Sequence, residues 1–253
     1  MNDDTHEQGE ALPEAARVLA LLDASRQSLA ALSAAVDLAA SRQAELVALF
    51  VEDIDLLASA GFPFSREVGA QSGLSRPLSP EAVEASLARQ VKRATQALAE
   101  AVAGRQVRHR FQVSRGRVAS EALALAGPGD LLVLGKAGLS GQWGVRLGST
   151  SRALILEAPC TVIIWDERLP THRGPLRLMS PADPELPAAS LAALEPLFDG
   201  VEALPAMDAT TLERYLARAR SGALLLHRPE LARLAEQDPQ LLGRIPVPII
   251  VVP

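Results

Sequence analysis

The chain has 253 residues, 48% hydrophobic and 22% charged, a balance typical of globular proteins whose length suggests roughly 1.7 domains. No stretch approaches the roughly 20 apolar residues that span a bilayer, the acidic start MNDDTHEQGE reads as neither a secretory nor a transit sequence, and the single cysteine, Cys160, excludes an internal disulfide framework or a multi-thiolate zinc cluster. The net charge of -5 resides in residues 1–16, where Asp3, Asp4, Glu7, Glu10 and Glu14 stand without Lys or Arg; the balanced remainder, with 3% aromatics, lacks the basic footprint and stacking platforms of a nucleic-acid binder.

Residues 1–16 are expected to be a disordered acidic tail. The apolar run Arg17–Leu22 reads as a strand buried on both faces. A helix from about Ser28 follows, with Leu29, Leu32, Val36 and Ala39 on one face. Residues 45–52 (ELVALFVE) form the second predicted strand, and the Gly-, Pro- and Ser-rich stretch 55–79 reads as a long loop. Ser79-Pro80-Glu81 marks a helix start, an N-cap followed by proline at the first helical position. Val107, His109, Phe111 and Val113 alternate as the third strand. A helix over 117–126, a strand over 130–134, a helix over 149–157 ended by Pro159, and a strand over Thr161–Trp165 complete this half.

Alternating strands and helices imply a parallel sheet with helices on both faces, here a doubly wound five-stranded α/β fold of order 3-2-1-4-5. Its first and fourth strands meet at a switch point, so the loops after Leu22 and Leu134 should face one another across a ligand crevice. The expected division is a nucleotide-binding domain over 17–166, a linker over 167–173, and a smaller α/β half-repeat over 174–253. In that half-repeat, strands at 176–179, 201–204, 223–226 and 247–252 alternate with helices at 187–197, 210–220 and 230–242. The apolar last strands, Thr161–Trp165 and Val247–Val252, need a partner.

Gly135, Gly138, Gly148 and Ser149 carry the sharpest chemical signal. Gly135 lets the chain turn close to a ligand, and Gly138 leaves room for phosphates. Gly148-Ser149-Thr150 opens a helix whose free N–H groups favour an anion, with Ser149 and Thr150 as hydroxyl donors or caps. The spacing fits neither a P-loop nor a dinucleotide fingerprint, and would recur by chance at only about 0.01 positions in such a chain. Asp23 either starts the first helix or faces the crevice. Lys136, one of two lysines, reads equally as a phosphate partner or an exposed loop residue. Arg146 is a weaker phosphate candidate, and Trp143 either covers a ligand or closes the loop. No histidine pair has metal-ligand spacing, Cys160 reads as a small buried hydrophobe, and no residue stands out as a general base, so no catalytic or metal residue is assigned.

The pattern G-x2-G-x9-G-[ST], with LLDAS after the first strand, ALFVED in the second and APCTVIIW in the last, resembles the universal stress protein family over about 17–166. The resemblance implies ATP or another adenine nucleotide as ligand, with or without magnesium, and at most slow hydrolysis. By position, Asp23 would contact the ribose or adenine side and Val51 the adenine through its backbone. Leu134 and Gly135 would lie near the sugar, and Gly138, Gly148, Ser149 and Thr150 would hold phosphates. Family members dimerise through their last strands, so Thr161–Trp165 and Val247–Val252 are expected to pair as a pseudo-dimer or between copies. The second half lacks the signature: Met179-Ser180-Pro181 and His227-Arg228-Pro229 stand where the aspartate and glycines belong. A cytoplasmic stress or signalling protein, independent of nucleic acid and membrane, is the leading expectation. The alternative is an interaction module of the same fold without ligand.

Overall fold

The computed structural model describes residues 16–69, 72–136, 148–165, 174–179, 194 and 197–253. In chain order the first half comprises β1 (Val18–Leu22), α1 (Arg26–Arg42), β2 (Leu46–Asp53), α2 (Ile54–Ala60), β3 (Arg66–Val68), β4 (Ser75–Pro77), α3 (Pro80–Val102), β5 (His109–Gly116), α4 (Val118–Leu125), β6 (Leu131–Gly135), α5 (Ser149–Glu157) and β7 (Thr161–Trp165). The second half adds β8 (Leu176–Met179), β9 (Val201–Leu204), α6 (Ala209–Leu216), β10 (Ala223–His227), α7 (Arg228–Gln237), α8 (Leu241–Arg244) and β11 (Ile249–Val252).

The near-continuous apolar runs become strands buried on both faces, as parallel sheets require. Their order in the first half is β5-β2-β1-β6-β7, the expected 3-2-1-4-5 arrangement. The sheet does not stop there. β7 pairs antiparallel with β11, Ile164 opposite Ile249 and Val162 opposite Val251, and the sheet continues through β10, β8 and β9. Each fully buried Val or Ile at this junction contributes about 1.5–3 kcal/mol relative to exposure. Outward from the junction, the second half repeats the first half's strand order but stops one strand short. The two apolar last strands are thus partners within one chain.

Helices α1 and α3 cover one face of the first half, while α4 and α5, joined by α6, α7 and α8 from the second, cover the other. Ser25 caps α1 by accepting from the Ser28 amide, and Ser79 caps α3 with Pro80 following, as the sequence indicates. The outer strand β5 carries Arg110 and Arg115, paired with Glu45 (3.3 Å), just before β2, and Glu52 (2.8 Å) on β2. Exposed pairs of this kind add little stability, but charge along an edge discourages further strand pairing.

Several expectations need correction. The stretch 55–79 is largely structured: α2 starts on an Asp53 cap, and β3 and β4 form a two-stranded antiparallel hairpin. The expected helix 230–242 is two, because the chain leaves helical geometry at Asp238 before α8. The expected helix 210–220 ends at Leu216. The expected helix 187–197 and linker 167–173 lie mainly outside the described residues, as does the acidic tail.

Candidate functional site

At its carboxyl end β1 is shorter than its neighbours. Its last partner on β2 is Phe50, opposite Leu22, whereas β2 continues to Asp53 paired with β5 alone. On the other side, β6 continues through Leu134 and Gly135 paired with β7. A notch therefore opens at the switch point, flanked by Val51–Asp53 and Leu134–Gly135, with Asp23–Ser25 at its base. Val51 and Leu134 belong to the same core cluster, on the face covered by α4 and α5. The sequence thus places Asp23, Val51, Leu134 and Gly135 around one feature, and α5 brings Gly148, Ser149 and Thr150 to the same face.

Asp23 is exposed and serves the turn into α1 as well: its carboxylate accepts from the Ser25 amide at 2.9 Å, and its own amide donates to Ser28 Oγ at 3.3 Å. Enclosure pushes its carboxyl up, but the hydrogen bonds from Ser25 and Ser28 outweigh this and hold it below the usual carboxylate range. An ionised Asp23 offers only acceptors, the chemistry that suits hydroxyl or amino donors. Between them, Ala24 has a φ of 59°, a left-handed conformation costing a non-glycine residue about 1 kcal/mol. Sequence reasoning missed this residue, since nothing about an alanine signals it.

Gly135 has a packing role beside the one its motif suggests. A Cβ there would lie 2.5 Å from the Gln27 carbonyl carbon and 2.6 Å from the Ser28 nitrogen. The end of β6 thus rests directly on the first turn of α1, and the missing side chain allows that approach. Gly148 is the reverse case. It is the N-cap of α5, and among the described residues no side chain caps that helix and nothing lies within 4 Å of where its Cβ would be. Ser149 and Thr150 occupy the first turn and do not act as caps. An open helix start with free N–H groups is suited to an anion.

Lys136 is not the exposed loop residue that the sequence allows. It is 6% exposed, and its ammonium donates to the Ile245 carbonyl of the second half, while its amide donates to Trp165 O at 2.7 Å. Gly138, Trp143 and Arg146 lie outside the described residues.

Cys160 is fully buried, and its thiol is pushed up to about 11, first by burial and then by the negative charge of Asp130. It is expected to resist iodoacetamide at about pH 8 in the folded protein and to react on unfolding; rapid native labelling would contradict this burial. Among the described residues no group of three or more His, Cys, Asp or Glu could hold a metal ion, and no helix is long and apolar enough to cross a membrane.

These features define a doubly wound α/β protein with a crevice at its switch point, where such sheets take their ligands. The universal stress protein family matches residues 15–165, and the chain belongs to that family. Among solved structures, a universal stress protein from Lactobacillus plantarum is 26% identical, with a TM-score of 0.44, covering 60% of this chain and 99% of its own. One from Archaeoglobus fulgidus is 12% identical with a TM-score of 0.58, covering 93% and 97%. A putative universal stress protein from Pseudomonas aeruginosa is 10% identical with a TM-score of 0.56, covering 94% and 93%. The last two are similar in fold across both halves. No curated protein matches the chain.

Proposed function

We propose that this protein binds an adenine nucleotide, ATP foremost, in the first-half notch, and acts in the cytoplasm in stress response or signalling. One observation carries the reading: α5 starts at Gly148 without a side-chain cap among the described residues, on the sheet face that carries Val51 and Leu134. Asp23 would accept from the ribose or the base, the backbone of Val51 would meet adenine, and Leu134 and Gly135 would flank the sugar. Gly138, Gly148, Ser149 and Thr150 would hold the phosphates, with Arg146 as a weaker contributor. Magnesium would accompany the phosphates without a protein ligand set of its own. No residue is assigned to catalysis, so the ligand is read as regulatory, with at most slow hydrolysis.

The domain reading is 17–166 for the binding unit and 174–253 for a degenerate copy serving as its partner. The second half begins α7 at Arg228, directly after β10, whereas residues 136–148 separate β6 from α5 in the first half. Pro229 removes an amide donor there, and buried Glu230, paired with Arg233 at 2.6 Å, places negative charge at the helix start. Both features disfavour an anion.

Calorimetric titration of the full chain with ATP tests the reading, and absence of binding at millimolar nucleotide overturns it. Gly148→Val should weaken ATP at least about tenfold by blocking donors to a charged ligand, while costing only about 1 kcal/mol of stability, because the site is open. Unchanged affinity would favour the interaction module without ligand.

A further inference from the structure

Beside the β7–β11 pairing, one cation from each half reaches a helix end of the other. Lys136 follows β6 directly, and Arg228 follows β10 directly; β6 and β10 are the strands beside β7 and β11 in their respective halves. Lys136 donates to the carbonyl of Ile245, the C-cap of α8. Arg228 donates to the carbonyl of Ala158, the C-cap of α5, at 2.5 Å, and to Ile155 O at 3.0 Å. Ala158 and Ile245 also correspond: each precedes a proline, Pro159 or Pro246, that leads into the last strand of its half. Each cation therefore meets the carbonyl end of the other half's last helix, where orphan acceptors and the helix dipole favour positive charge.

We propose that Lys136 and Arg228 form a reciprocal clasp across the β7–β11 junction, and that through Lys136 the second half positions the end of β6 within the nucleotide site. Lys136 is then a positioning residue and not a phosphate ligand. Its neighbour Gly135 rests on the first turn of α1, which also holds Asp23, so any movement of Lys136 reaches both walls of the notch. The second half thereby acts on the site as a built-in effector, and by reciprocity the ligand strengthens docking of the second half. The nucleotide arm of this inference rests on the function proposed above; the clasp itself does not.

Amide hydrogen exchange on the full chain tests the clasp without ligand. Lys136→Met should speed exchange about tenfold across Ile249–Val252, and Arg228→Met should do so across Thr161–Trp165. Lys136→Arg should retain wild-type protection. Should Lys136→Met not fold, Arg228→Met carries the same readout from the other side. Unchanged protection at both strands overturns the clasp. Titration of the same variants with ATP, ADP and AMP tests the positioning role. Lys136→Met should weaken all three by a similar factor, with recovery in Lys136→Arg. A loss that grows with each added phosphate would make Lys136 a phosphate ligand and overturn the proposal, as would unchanged affinity for all three. If the unmodified protein binds none of them, the nucleotide reading and the effector role fail together, while the exchange result still decides the clasp.

Discussion

Gly135→Ala is expected to cost about 3 kcal/mol and to lower Tm by about 6–12 °C. The methyl group would meet the backbone of Gln27 and Ser28 at 2.5–2.6 Å, well inside van der Waals contact. A side chain could swing aside, but a helix backbone cannot move without displacing its buried stripe, here Ala31, Leu32 and Ala35. The cost therefore falls at the upper end of overpacking substitutions. Calorimetric or denaturant unfolding measures it, with Gly129→Ala as the control. Among the described residues a Cβ at Gly129 would meet only Ala16, at 3.9 Å, and should cause no loss. Equal stability of the two variants would contradict the packing described. The same displacement moves Ser25 and Ser28 away from Asp23, so any ATP affinity should fall with stability in Gly135→Ala, in contrast to Gly148→Val.

The two glycines show what sequence could and could not convey. Their spacing pointed to the end of β6 and the start of α5, because a buried strand, glycines and a helix start form a local pattern. It could not separate their tasks: Gly135 makes room for a helix more than 100 residues earlier in the chain, while a Cβ at Gly148 would meet none of the described residues. The strands were legible for the same local reason, since Val18–Leu22 and Thr161–Trp165 are continuous apolar runs bounded by turn residues. The stretch 55–79 was misread because its Gly and Pro content outweighed the short runs that form α2 and the β3–β4 hairpin. Lys136 was beyond local reasoning altogether. Its acceptor is 109 residues away, and only the parallel placement of Arg228 and Ala158 reveals the logic of that contact. The antiparallel junction was legible in part, because two apolar last strands without an intervening partner limit where they can go.

Asp130→Ala should be comparably damaging, at about 3 kcal/mol at neutral pH. Asp130 is 4% exposed at the start of β6 and accepts from Arg17 Nη2 at 2.7 Å, the Arg17 amide at 2.9 Å and the Gly127 amide at 2.8 Å. Removing it leaves the Arg17 and Gly127 amides without this acceptor and takes the carboxylate from a guanidinium that keeps Leu125 O at 3.1 Å, which costs more than the pair itself contributes. Burial pushes the Asp130 carboxyl up, but the Arg17 side chain, followed by the Gly127 and Arg17 amides, outweighs it and holds the group below the usual carboxylate range. The folded value is therefore depressed relative to an unfolded value of about 3.9. The carboxylate's contribution is complete above that value and is lost as the pH falls through the lower folded one. The stability gap between the wild type and Asp130→Ala should be widest at neutral pH and narrow below about pH 4. Denaturant unfolding of both proteins across this range measures the gap; one that widens in acid would show that Arg17 is satisfied without the carboxylate. Because Asp130 opens the strand that ends in Gly135, the ion pair anchors β6 at one end as α1 and the Lys136 contact hold it at the other. The switch-point strand is thus fixed at both ends by contacts distant in sequence.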